Sequence, residues 1–97
     1  MFVWIDCEMT GLNVYQDKII EIAVILTDDN LENLIIGPEL IIHQSKNIMM
    51  NMNEWCIEHH GNSGLTQKVI DSKLSTKEAE SITYTRTKYC TFGSTYG

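Results

Sequence analysis

The stretch Lys18–Thr27, KIIEIAVILT, constrains the fold more than any other part of the chain. It is apolar and β-branched, and Glu21 is its only interior charge, which suits a central strand. A central strand needs neighbours on both sides. Phe2-Val3-Trp4-Ile5 is a short apolar run entering Asp6 and reads as a second, buried strand. Asn33 to Gln44 reads as a third, with Gly37-Pro38 as a bulge or kink. Turn chemistry at Gly11 and Asn13, and again at Asp28-Asp29-Asn30, separates the three. Two short connections make a three-stranded antiparallel meander the economical topology.

After the meander the period changes. Ile48, Met52, Trp55, Cys56 and His59 fall at helical spacings, with Gly61 as a stop. Leu65 to Ile70, after Ser63-Gly64, reads as another short helix. Ser75 with Glu78 three residues on is a capping-box signature. The helix that box should open is not continued by an apolar stripe. Residues 81–97 read SITYTRTKYCTFGSTYG, rich in Thr and Tyr. The expectation is therefore an α+β unit over 1–80, a meander followed by helices, and an irregular tail over 81–97.

With 97 residues, 43% hydrophobic and 21% charged, the chain makes one small globular domain. A domain this size buries only about 60–65% of its unfolded surface, so its stability margin is thin. No apolar run approaches the ~20 residues of a membrane helix, and without a basic start followed by an apolar stretch and a small-residue cleavage site no secretory signal is expected. Cys7, Cys56 and Cys90 are odd in number and widely spaced, matching neither a zinc pattern nor a disulfide framework. A reducing compartment follows, cytoplasmic or, behind a cleaved presequence, mitochondrial. The net charge of -6 argues against a surface that coats long nucleic acid. A very short nucleic acid, or one held through metal ions, is compatible with it.

The first chemical signal is Asp6-Cys7-Glu8. On a strand, residues i and i+2 point to one face, so Asp6 and Glu8 project together. Two carboxylates so placed can share hard divalent cations, as phosphoryl-transfer sites require. On spacing alone the plainer reading is stronger: one carboxylate caps the next turn and the other is solvated.

The surrounding motifs shift that balance. Trp4–Leu12 (WIDCEMTGL), followed by Asp17–Ala23 (DKIIEIA), closely resembles the start of oligoribonucleases, DEDD exonucleases on a ribonuclease-H-like fold. Gly37-Pro38, His43-Gln44, Trp55–His60 (WCIEHH) and Ser63–Thr66 (SGLT) continue the resemblance in order, from about residue 3 to residue 80.

The resemblance implies roles. Asp6 and Glu8 correspond to two of four metal-binding acids, which hold two Mg²⁺ or Mn²⁺ ions in phosphodiester hydrolysis. Leu12 matches an apolar wedge beside the terminal bases, Trp55 an aromatic of the base pocket, and His60 a residue near the 5′ phosphate. Met9, Thr10 and Gly11 line the start of the active-site loop. Read from the residues alone, core packing is the favoured reading for Leu12, folded back on the core, and for Trp55, on an apolar helical face. His59 and His60 likewise fit a helix C-terminus, where a cation complements the dipole.

The resemblance also implies a homodimer, and two further aspartates with a general-base histidine later in the chain. The later acids here are Asp71, Glu78 and Glu80, within the matched helical region, and no histidine follows His60. Three readings stand. The first is a 3′→5′ exoribonuclease that takes very short RNAs, chiefly dinucleotides, to mononucleotides. The second is an inactive truncated form that binds a full-length subunit or a short nucleic acid. The third is a non-catalytic α+β module in which Asp6 and Glu8 are structural. Turnover by this chain alone is not expected.

Overall fold

The computed structural model describes residues 1–88. It runs β1 (Phe2–Met9), β2 (Ile19–Thr27), β3 (Leu34–Ile41), α1 (Lys46–Met50), α2 (Glu54–Asn62), α3 (Leu65–Asp71) and α4 (Thr76–Lys88). The sheet order is β1-β2-β3 and both pairings are antiparallel, so the meander is the observed topology. The expected bulge sits at Gly37-Pro38. Ile25 pairs with Ile36 and Ala23 with Glu39, leaving two residues of β3 opposite Val24 alone. Gly37 is required there, because a Cβ would come within 2.8 Å of the Val24 carbonyl oxygen.

Two buried clusters hold the helices to the sheet. Ile20 packs with Met49, Met52, Cys56, Leu65 and Val69, joining β2 to α1, α2 and α3. Leu40, Ile42 and Ala79 form the other, with Ile22, Leu74 and Ile82 packed around them, and seat α4 on β2 and β3. No helix among the described residues is long and apolar enough to cross a membrane.

Three expectations are corrected. First, Phe2–Ile5 forms a strand but is not buried. β1 is the edge of the sheet, and its side chains from Phe2 to Ile5 remain about half exposed. Second, the single helix expected over Ile48–Gly61 is two. Ser45 caps α1 by accepting from the Ile48 N–H at 3.2 Å, and Asn53 caps α2 by accepting from Cys56 N–H at 2.8 Å. Asn51–Asn53 lies between them outside either helix. Third, α4 crosses residue 80 and continues to Lys88. The capping box that opens it is complete: Ser75 Oγ accepts from Glu78 N–H, and Glu78 Oε1 accepts from Ser75 N–H.

The buried stripe of α4 is present but partly written in threonine. Ala79, Ile82, Thr83 and Thr87 are the positions that turn inward, at helical spacing. Their hydroxyls are absorbed by the helix itself. Thr83 donates to the Ala79 carbonyl at 2.8 Å and Thr87 to the Thr83 carbonyl at 2.9 Å. The rest of the expected irregular tail, residues 89–97, lies outside the described residues.

Candidate functional site

The carboxyl end of β1 and the loop after it are organised around Asp17. Its carboxylate accepts from the Thr10 hydroxyl and from the Asn13 N–H, each at 2.9 Å. Thr10 in turn receives the Lys18 N–H on its hydroxyl and donates its own N–H to the Lys18 carbonyl. The carboxylate occupies the space a side chain would need at position 11, where a Cβ would lie 2.5 Å from Asp17 Oδ2. Gly11 thus lets the loop close on Asp17. The closed loop turns Leu12 outward, 90% exposed.

Helix α2 forms the opposite wall. Asn53 fixes its first turn, and one face sends Cys56 and His60 inward while Trp55 stays 63% exposed. His60 is 4% exposed and its Nε2 lies 2.9 Å from the Met9 carbonyl oxygen. That oxygen can only accept, so Nε2 is the donor. The bond ties α2 to the end of β1.

Between the two walls lies a cleft of about 600 Å³, lined by Glu8, Met9, Gly11, Leu12, Trp55 and His60 together with Asn53, Glu54 and Cys56. A smaller recess of about 270 Å³ adjoins it, lined by Glu8, Glu21, Glu39, His59, His60 and Lys68 among others. Glu8 and His60 border both.

Of the eight residues singled out in the sequence, six therefore line one cleft. Asp6 does not. It is exposed on β1, two residues from Glu8 on the same strand face, and pairs with Ala23. Thr10 does not either, being buried beneath the loop with its hydroxyl spent on Asp17 and Lys18.

Sequence reasoning missed Asp17, Asn53, Glu21 and His59. Asn53 directly before the helical residues was a readable cap signal. Asp17 opens one of the motifs that carry the resemblance, but its role was not readable, because its partners are fixed only once the loop closes.

The electrostatics are acidic. Glu21 stands directly across from Glu8 in the ladder. Burial pushes the Glu21 carboxyl above the usual range, and its hydrogen bond to Glu39 and the charges of Glu39 and Glu8 push further. Lys68 opposes them. The Cys7 thiol is likewise raised, by burial first and then by Asp6 and Glu8.

A family model described as an exonuclease matches residues 3–89. The chain is 54% identical over 80 residues to a probable oligoribonuclease of Dictyostelium discoideum, covering 82% of this chain and 42% of that protein. It is 54% identical over 81 residues to an oligoribonuclease of Pseudomonas fluorescens, covering 84% of this chain and 45% of the relative. It is 49% identical over 78 residues to a human protein named oligoribonuclease, mitochondrial, covering 80% of this chain and 33% of the relative. The chain thus spans between a third and a half of the length of these relatives.

Exonucleases of this family generally depend on divalent metal ions. Asp6 and Glu8 offer hard oxygen donors from one strand face, the donor type such ions take. No group of three or more His, Cys, Asp or Glu is placed to hold a metal among the described residues. The two carboxylates fit part of such a site, since Mg²⁺ is commonly held by one or two carboxylates together with substrate phosphate oxygens. On the match over 3–89, and with its meander and helices forming the N-terminal portion of a ribonuclease-H-like fold, the chain belongs to the exonuclease family.

Proposed function

We propose that this chain carries the base-gripping and first metal-holding elements of a 3′→5′ exoribonuclease for very short RNAs, chiefly dinucleotides. The observation that carries the reading is the shared cleft of Glu8, Leu12 and Trp55, where one acid meets two apolar groups on separate elements. An acid alone suits many purposes. An acid beside an exposed indole and an exposed leucine suits a substrate with a phosphate and bases. The net charge of -6 agrees, because a dinucleotide needs end pockets rather than a basic groove.

The indole of Trp55 stacks on a base, worth roughly 1–3 kcal/mol. Leu12 wedges beside the bases from the loop that Asp17 closes. Met9 and Gly11 form the floor at the end of β1. His60 holds that floor to α2, so its contribution to the 5′ phosphate is through position, its Nε2 being engaged by Met9. Thr10 acts from below the loop. Asp6 and Glu8 hold divalent cations, Mg²⁺ or Mn²⁺. The metals, when bound, supply an activated water and neutralise charge on the scissile phosphate.

The relatives' further length makes a complete site a property of a longer or assembled protein, such as a homodimer or a complex with a full-length subunit. For this chain alone the expected behaviour is metal-assisted binding with little or no turnover. The compartment is reducing, cytoplasmic or mitochondrial.

The test is calorimetric binding of a 5′-phosphorylated RNA dinucleotide with Mn²⁺, with EDTA, and with the E8A and W55A variants, alongside a hydrolysis assay. Binding that EDTA and E8A weaken alike, and that W55A weakens about five- to a hundredfold, is expected. Binding indifferent to metal, E8A and W55A overturns the reading in favour of a structural module.

A further inference from the structure

The proposed function asks Trp55 to present a flat face to a base, yet an indole 63% exposed on a helix surface has few neighbours to fix it. The structure provides one. His59 lies one turn further along α2, and the two rings stack with centroids 4.1 Å apart and planes 14° from parallel. An i, i+4 pair meets naturally on a helix surface. The stack is also directional. Trp55 lines the large cleft and His59 does not, while His59 lines the adjoining recess and Trp55 does not. Stacked this way, the imidazole covers one indole face, and only the other face is open to a ring entering from the cleft.

We propose that His59 is a positioning residue that braces the Trp55 indole from behind, so that a bound base becomes the third ring of a His59–Trp55–base stack. This rests on the proposed function for its ligand. The tandem histidines then divide the work. His60, buried and bonded to Met9, holds the helix to the sheet. His59, exposed, holds the ring. Bracing removes rotamer freedom before the base arrives, so less is lost on binding. The two-χ indole is suited to such preorganisation.

A merely structural role predicts something different. Alanine is the best helix former, so H59A leaves α2 intact and removes only the ring. H59F restores a flat ring without the ring nitrogens.

The test uses the full chain in a W4F background, where Trp55 is the only tryptophan and is excited selectively over the tyrosines. Time-resolved anisotropy reports how tightly the indole is held, and calorimetry with a 5′-phosphorylated RNA dinucleotide and Mn²⁺ reports affinity. The expected result is faster local depolarisation of Trp55 in H59A, dinucleotide affinity weaker by about three- to tenfold, and recovery of both in H59F. Unchanged anisotropy in H59A overturns the bracing. Faster motion with unchanged affinity overturns its use in binding. A loss in H59A that H59F does not recover overturns stacking as its basis. A parent protein that binds no dinucleotide overturns the functional reading and this use of the ring with it, while the anisotropy still decides the bracing.

Discussion

Strands β1 and β2 are neighbours in one hydrogen-bonded ladder, both apolar, and they end up in opposite environments. Val3 and Leu26 face each other across the pairing. Leu26 is 2% exposed and Val3 is 42% exposed. β2 has a strand on each side, and α4 packs on it and on β3. Among the described residues β1 has a strand partner on one side only. Hydrophobic sequence thus sets which residues seek burial, while topology decides which obtain it. An open apolar edge is a liability in an isolated domain. Here it coincides with relatives roughly two to two and a half times as long, and with Asp6 and Glu8 on the same bare strand.

Truncation of the facing pair gives the largest expected effect. Leu26→Ala should cost about 2–5 kcal/mol, the range for a fully buried leucine, and leave little folded protein. Val3→Ala should cost under about 1 kcal/mol, because its side chain is still wet. Urea unfolding followed by circular dichroism compares them directly. Equal losses would mean that β1 is covered in solution, by self-association if the loss from Val3→Ala grows with protein concentration.

The next effect concerns the junction where the bare strand meets the packed helices. His60→Phe keeps a ring of similar size but leaves the Met9 carbonyl without its donor, at about 1–3 kcal/mol. The comparison sharpens if hydrogen exchange rises at the end of β1 and the start of the following loop, with β3 unchanged. Exchange rising uniformly would mean that β1 and the helices open as one unit, and that the contrast between them is not energetic.

Gly37→Ala probes the packed side in the same way. Its new methyl meets the Val24 backbone, which cannot move aside as a side chain can. A cost of about 1–3 kcal/mol is expected, with the bulge shifting to relieve it. In Gly11→Ala the atoms nearest the new methyl are those of the Asp17 carboxylate, a side chain that can move. It should cost less stability than Gly37→Ala while weakening dinucleotide binding more, since it displaces the loop that carries Leu12. The reverse order would place the cleft loop inside the cooperative core.

What the sequence made legible was local. The apolar run of β2, the Gly37-Pro38 bulge and the Ser75–Glu78 box each declare themselves within a few residues, and each is where the spacing puts it. The cleft residues were found by motif resemblance, and six of eight meet in space. The exposure of β1 was not legible, because FVWI reads as buried until one knows that β1 is an edge strand, paired among the described residues with β2 alone. The break at Asn51–Asn53 was hidden by apolar spacing that runs through it. The inner face of α4 was hidden because threonine counts as polar until its hydroxyl is seen folded onto the preceding turn. The Trp55–His59 stack is legible as an i, i+4 pair, but nothing in the sequence separates it from a helix-end role for His59.

The smallest effect separates the two loops of the meander, each built around one aspartate. Asp17 closes the loop beneath the cleft. Asp28 closes the β2–β3 turn, accepting from the Asn33 side chain at 2.6 Å, Glu32 N–H at 2.9 Å and Asn33 N–H at 3.2 Å. Those bonds, the Asn33 amide first, hold the Asp28 carboxyl below the usual aspartate range. A carboxyl depressed in the folded state adds stability above its unfolded pKa, and the contribution is lost as pH falls through the folded value. Asp28→Asn should therefore lower Tm slightly at pH 7, with the difference fading as the medium is acidified below the ordinary aspartate range. The turn is exposed, so solvent and salt screen the effect, and it should shrink further in high salt. Because Asp28 serves the packed β2–β3 hairpin and stands apart from the cleft, dinucleotide affinity should not change. A loss of affinity in Asp28→Asn would mean that the packed hairpin and the cleft end of the sheet are coupled, and that the contrast drawn between β1 and β2 stops short of the site.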